Sequence, residues 1–420
     1  MPLDELLLRL LAVAQEHRIT ALDKVDTLAA LGRVLARPVT SALDVPPADN
    51  SAMDGYALRL ADLPADLPGE LPAAAGVLPV SQRLPAGVVG QPLLPGTAVR
   101  IFTGAQLPPG ADAVVMQEHC DAIAGDDGGL GQVRIKLRPE AGAWVRRRGE
   151  DVRLGDEVLH VGQRLSPQAL GLAASVGASR LAVLRQPRVA LFSTGDELVM
   201  PGEALKPGAI YNSNRFTLRG LLLAAGCVVD DLGIVPDRLD ATRDALRRAA
   251  QGNDLILSSG GVSVGEEDHV KPALKAEGWI EAWQVAMKPG KPLLFGAVRR
   301  DGQAEGEALF MGLPGNPVSS FVTFLLAVAP VLRALQGMPA VLPQAVTVRA
   351  DFDWPQPDKR REFLRARFNG QGGVEMFPNQ SSGVLTSAVW ADGLIDNPGG
   401  QAIQRGDSVQ MLLLSALIGG

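Results

Sequence analysis

In "MPLDELLLRLLAVAQEHR", Leu6, Leu7, Leu10, Leu11 and Ala14 recur at the spacing of one helical face, so an amphipathic helix opens the chain. Asp4 and Glu5 stand where a secretory leader carries positive charge, so this helix reads as part of the folded protein. Helical patterning runs on to about residue 45 and stops at "LDVPPADN", where prolines and a turn intervene. Between 50 and 140 the chain changes to short apolar runs ("AVRIF", "DAVVM", "VRIKL") between turns dense in proline and glycine. That is the pattern of a small β-rich module, with "DDGGLGQ" as a hairpin tip. From about 142 to 180 helix returns, with Ser166 and Pro167 as N-cap and first residue of "QALGLAASVG".

Residues 185 to 335 alternate strand and helix. "RVALFST" precedes "NRFTLRGLLLAAG", "CVVDDLGIV" precedes "DRLDATRDALRRAAQG", "DLILSSGG" precedes "HVKPALKAEG", and "ALFMGLPGNP" precedes an apolar helix at 318–332. Strands that are apolar throughout, each followed by a helix, predict a doubly wound parallel sheet covered on both faces. After 342, alternating runs ("AVTVRADF", "EFLRARF", "GGVEMF", "DSVQMLLL") predict a small antiparallel barrel or sandwich.

Composition narrows the functional classes. The chain has 420 residues, enough for two to four domains, with 46% hydrophobic and 20% charged residues, typical of a globular protein. Its net charge of −6 gives no overall basic field to draw in nucleic acid. The run at 318–332 contains Pro330 and is short of the roughly 20 residues that span a bilayer. Cys120 and Cys227 lie far apart in no metal-ligand pattern, and the four histidines have no ligand spacing, so a reducing, cytoplasmic setting is expected.

Chemistry is expected at the carboxyl ends of the parallel strands, where open sheets bind ligands. "STGDEL" (193–198), "VPDR" (235–238), "SSGGVSVGEEDH" (258–269) and "GLPGNP" (312–317) all fall there. The glycine loop is neither a dinucleotide fingerprint nor a Walker A sequence. Gly260, Gly261 and Gly265 free its backbone to approach a ligand, and Ser258, Ser259 and Ser263 add hydroxyl donors. Glu197, Asp237 and Asp268 nearby would repel a bare phosphate by roughly 1 kcal/mol per close pair in water, and by more in a cleft. A bridging Mg²⁺, taking carboxylate and phosphate oxygens, reverses that sign. Glu266 and Glu267 are read more simply as acids at a helix N-terminus. In "MKPGKP" (287–292), Lys288 and Lys291 flank a Pro-Gly turn and can converge on a small anion, although lysines on turns are commonly just solvated.

Taken together, "NSAMDGYA" (50–57), "RIFTGAQLPPGADAVVMQE" (100–118), "RRRGEDV" (146–152), "FSTGDEL" (192–198), "YNSNR" (211–215), the glycine loop, "MKPGKP" and "GLPGNPVSS" (312–320) resemble the molybdopterin molybdotransferase family, which includes the gephyrin E domain. The resemblance implies a multidomain α/β subunit of an elongated homodimer: a helical N-terminal domain (1–47 and 142–182), an inserted β-rich module (48–141), the central α/β domain (183–333) and a C-terminal β barrel (334–420). It implies insertion of molybdate into adenylylated molybdopterin, releasing AMP. Glu197, Asp237 and Asp268 would surround the phosphates and Mg²⁺. Asp54, Thr103 and Asp151 would come from the partner subunit. Ser259, Gly260, Gly261, Ser263, Gly265, Asn214, Pro314 and Asn316 would hold the pterin nucleotide. Lys288, Lys291, Arg365 and Ser382 would hold molybdate. Gln284 stands where some members carry a basic side chain. Implied protein partners are the molybdopterin adenylyltransferase and acceptor molybdoenzymes. The alternatives are an adenylyltransferase using ATP and a non-enzymatic binding scaffold.

Overall fold

The computed structural model describes residues 1–64, 71–72, 75–125, 128–262, 269–300, 306–338 and 344–419. Its central sheet has the strand order Val228–Val235, Arg188–Thr194, Leu255–Ser259, Glu307–Leu313, Pro292–Arg299, Gly278–Gln284. The first four strands are parallel, as the alternation predicts. The last two are antiparallel, which corrects the expectation of a wholly parallel sheet. The helix Val270–Glu277 passes directly into the strand Gly278–Gln284, so no turn signal marks the change of direction.

Alternate residues of these strands face two cores. Val189, Leu191, Leu255, Leu257, Leu309 and Met311 pack on one face with the helix Ser213–Ala224 and the helix Pro317–Leu335. Ala190, Phe192, Ile256 and Phe310 pack on the other with the helices Leu239–Ala250 and Val270–Glu277. The helix Pro317–Leu335 is long and apolar enough to cross a membrane, but 94% of its apolar window is buried, so the core uses it. It widens into a π turn at Phe324–Val328, just ahead of Pro330. A proline has no N–H to offer, and its ring would crowd the carbonyl of Leu326 in a regular helix.

The N-terminal expectation needs correction. α-Helix is confined to Leu3–Glu16 and Pro167–Ser175, where Ser166 accepts from Ala169 N as the predicted N-cap, with one 3-10 turn at Thr27–Ala29. Most of the remainder is turn and short strand: Leu22–Asp26 pairs with Arg180–Leu184, and Val39–Thr40 with Glu157–Leu159. Gly32, Pro38, Pro46 and Pro47 punctuate the segment too closely for a second helix. The first helix buries Leu6 and Leu10 in the core of the central domain rather than beside Leu35 and Leu165, and Ile19 N donates to Leu335 O at 2.9 Å.

The inserted module is a six-stranded sheet between Gly55 and Ile135. Its hairpin of Cys120–Ile123 with Gln132–Ile135 has the predicted place, with part of the tip outside the described residues. The C-terminal strands form a mainly antiparallel sheet that curls back on itself where Ala350 bridges Val374. Met287–Lys288 joins that sheet, parallel to Arg361–Glu362, and so ties the barrel to the central domain.

Candidate active site

The carboxyl ends of the parallel strands open into a cleft of about 990 Å³. From the central domain, Glu197, Asn214, Asp237, Ser259, Gly260, Gly261, Pro314 and Asn316 line it. Lys288 and Lys291 line the same cleft, facing Ser382 from the barrel domain. Eleven expected residues are thus brought together by topology alone. Ser263, Gly265 and Asp268 lie outside the described residues.

Two helices begin at this cleft. Asn212 caps Ser213–Ala224 by accepting from Arg215 N at 3.1 Å, and Asn316 precedes Pro317 at the first position of the other helix. The helix dipole at both starts favours an anion, with the N–H groups at Ser213–Ala224 the better placed, since Pro317 has no N–H and Val318 N donates to Ser382 O at 2.9 Å. Asn214 fixes the floor: its Nδ2 donates to Ser259 Oγ (2.8 Å) and to Gly315 O (2.7 Å). Its Oδ1 is buried without a hydrogen-bond partner, as are Asp237 Oδ1, Ser258 Oγ and Thr194 Oγ1. Buried polar atoms are usually satisfied, and Thr194, Asn214 and Asp237 line the cleft while Ser258 does not, so the other three orphans mark where a ligand belongs.

Gly260 and Gly261 have φ of 93° and 66°. A Cβ at 260 would come 2.5 Å from Thr194 O, and one at 261 would come 2.4 Å from Val270 Cγ2. The loop is pressed onto the sheet with no room for a side chain, which leaves its backbone facing the cleft. Gly290, between the two lysines, is equally confined: φ is 106°, and a Cβ would lie 2.5 Å from Thr323 Oγ1.

On the basic side, Lys288 Nζ donates to Glu362 Oε1 at 3.2 Å and lies 3.8 Å from Asp358 Oδ2. Lys291 is exposed and forms no ion pair among the described residues. Arg360, which the sequence reading did not single out, also lines the cleft. It grips both carboxylate oxygens of Asp358, at 3.0 and 2.8 Å, and those bonds, with one from its own backbone N–H, hold the Asp358 carboxyl well below the usual range. The signal was the basic run "DKRR" just ahead of a strand.

Arg365 does not line the cleft, which corrects its expected contact with the oxyanion. It is 1% exposed, and its guanidinium donates to Ser387 Oγ, Phe363 O and, at 3.4 Å, Ser381 O. Burial pushes its pKa down to about 10. It braces the wall that presents Ser381 and Ser382 from behind.

Asp54, Thr103 and Asp151 do not line this cleft within one chain. Asp54 Oδ1 accepts from Thr103 N and Oγ1, both at 2.8 Å, and these bonds hold its carboxyl below the usual range. Asp151 is exposed. Cys120 and Cys227 are buried, and burial raises both thiols to about 12, which makes them poor nucleophiles.

Comparison with known proteins identifies the family to which the chain belongs. Residues 1–177 match the MoeA N-terminal region (domain I and II), 190–334 a probable molybdopterin binding domain, and 347–414 the MoeA C-terminal region (domain IV). A molybdopterin molybdenumtransferase of Haemophilus influenzae is 40% identical, over 83% of this chain and 82% of its own. Molybdopterin molybdenumtransferase 2 of Mycobacterium tuberculosis is 38% identical, over 92% and 93%. The crystal structure of the molybdopterin biosynthesis MoeA protein from Pyrococcus horikoshii OT3 superposes with a TM-score of 0.79 at 28% identity, covering 98% of this chain and 99% of that one. Three matched regions in one order, and identity sustained over nearly the whole length, place this chain in the molybdopterin molybdenumtransferase family.

Proposed function

We propose that this transferase of molybdenum cofactor biosynthesis takes molybdate and adenylylated molybdopterin, inserts the metal and releases AMP. The observation that carries the reading is the single cleft in which two helix N-termini and a glycine loop face two lysines and an arginine. The first set suits the phosphates of a nucleotide, and the second a small tetrahedral dianion. Arg360 takes the oxyanion role expected of Arg365, with Lys288, Lys291 and Ser382. Gly260 N–H is spent on Leu313 O at 3.2 Å, so the Gly261 backbone N–H and Asn214 hold the pterin nucleotide while an oxygen nucleophile attacks a phosphorus of the pyrophosphate link in line, the bridging P–O bond breaks and AMP departs.

Mg²⁺ fits the acidic side of the cleft. Asp237 Oδ1 is buried and unpartnered, and Glu197 lines the same wall. No group of three or more metal-ligating side chains occurs among the described residues, but Mg²⁺ takes one or two carboxylates and completes its shell with phosphate and water. When bound it would neutralise phosphate charge.

Asp54, Thr103 and Asp151 complete the site from a second copy. In support, Leu28 (93% exposed), Leu31, Phe216 and Leu223 leave apolar surface uncovered. Arg164 donates to both Gly32 O and Ala224 O, so the turn after Leu31 lies against the end of the helix that carries Leu223. The two buried free thiols accord with a reducing, cytoplasmic setting.

Incubating the protein with adenylylated molybdopterin, molybdate and Mg²⁺ tests the reading. Molybdate-dependent AMP release with transfer of a cofactor that activates an apo-molybdoenzyme is expected. AMP release indifferent to molybdate, or consumption of ATP with unmodified molybdopterin, would overturn it.

A further inference from the structure

Glu362 has no exposed surface, yet its carboxylate bonds a side chain that lines the cleft. Burying a carboxylate is costly unless it is paired and hydrogen-bonded. Its two oxygens are divided: Oε1 accepts from Lys288 Nζ at 3.2 Å and Oε2 from Trp354 Nε1 at 2.7 Å. The pairing is built into the backbone, because Lys288 and Glu362 are register partners where Met287–Lys288 runs beside Arg361–Glu362. Asp358 is farther from the ammonium and is committed to Arg360. An ammonium has three N–H donors, so one bond to Glu362 leaves two for the cleft. Lys291, across the turn, has no such tether among the described residues.

We propose that Glu362, braced by Trp354, is a positioning residue that fixes the Lys288 ammonium at the cleft wall before the oxyanion arrives. A free lysine must give up the rotamer freedom of a four-carbon stem on binding; this one has given up much of it in the fold. The anion's identity rests on the function proposed above, but the tether does not.

The test uses the full chain. Molybdate binding is measured by equilibrium dialysis with metal analysis, and steady-state rates are measured against molybdate and against adenylylated molybdopterin. Glu362→Ala is expected to weaken molybdate binding about tenfold and raise its KM equally, with kcat within about twofold and the pterin KM unchanged. Glu362→Gln keeps one acceptor oxygen for Lys288 but turns its NH2 toward Trp354 Nε1–H, so it recovers binding part of the way, to about the level of Trp354→Phe. Trp354→Phe removes only the brace, weakens binding in the same direction, and serves as the readout if Glu362→Ala does not fold. Wild-type molybdate affinity in folded variants overturns the inference alone. Equal losses toward both substrates, with no rescue by glutamine, reduce Glu362 to a structural role and overturn it too. A wild-type chain that holds no molybdate removes the anion reading and this inference with it.

Discussion

Arg360 and Arg365 lie close together in "KRREFLR" and do different work. Arg360→Gln should raise the molybdate concentration for half-maximal rate several-fold and spare the pterin KM, as should Lys288→Met; steady-state kinetics against each substrate checks both. Arg365→Met instead leaves Ser387 and two carbonyls without their donor and should lower unfolding stability by about 1–3 kcal/mol in denaturant titration. Sequence spacing could not separate the two arginines. The strand Arg361–Phe368 is buried on both faces from Glu362 to Ala366, because the segment around Ser381 and Ser387 crosses over it. Long-range packing of that kind has no local signature. Asp358 adds a pH dependence with a definite sign. Its carboxyl is held below the ordinary 3.8 by Arg360, so its stabilisation is fully present above that value and is lost as pH falls below it. The difference in melting temperature between wild type and Asp358→Asn should therefore be largest near neutral pH and shrink progressively below about pH 4.

Among the elements, the loops at strand ends were readable because apolar runs and helix patterns alternate so regularly between 188 and 335. The order of four parallel strands then gathers those loops at one edge. The two antiparallel strands were not readable, since one begins at Gly278 where a helix ends, with no turn between. The lysine turn is held by contact as well as by sequence. Gly290→Ala would force a side chain into a left-handed backbone and against Thr323, costing at least about 1–2 kcal/mol. A rise in molybdate KM larger than that for either single lysine variant is expected, because both ammonium groups move together. Unchanged kinetics would show that the turn tolerates displacement.

For the whole molecule, local patterning misassigned the first helix. Its apolar face is plain from spacing, but which core receives it is decided by the far end of the chain, through Leu335 and the central domain. Asp54 does not line the cleft that Glu197 lines within one chain, and the proposed second copy would bring it there. Mixing Asp54→Asn and Glu197→Gln proteins after dissociation should restore activity. Half of the reassorted dimers then carry one intact site, giving about one quarter of the wild-type rate from two nearly inactive parents. No recovery would place both carboxylates in a single chain's site.

Met287 and Lys288 belong at once to a loop of one domain and a strand edge of another. On the proposed function, the barrel therefore supplies one wall of the oxyanion site, and Lys288 keeps its place through that strand pairing. A shift of the barrel at that junction would carry the Lys288 ammonium with it, so the proposed oxyanion site is tied to how the two domains dock.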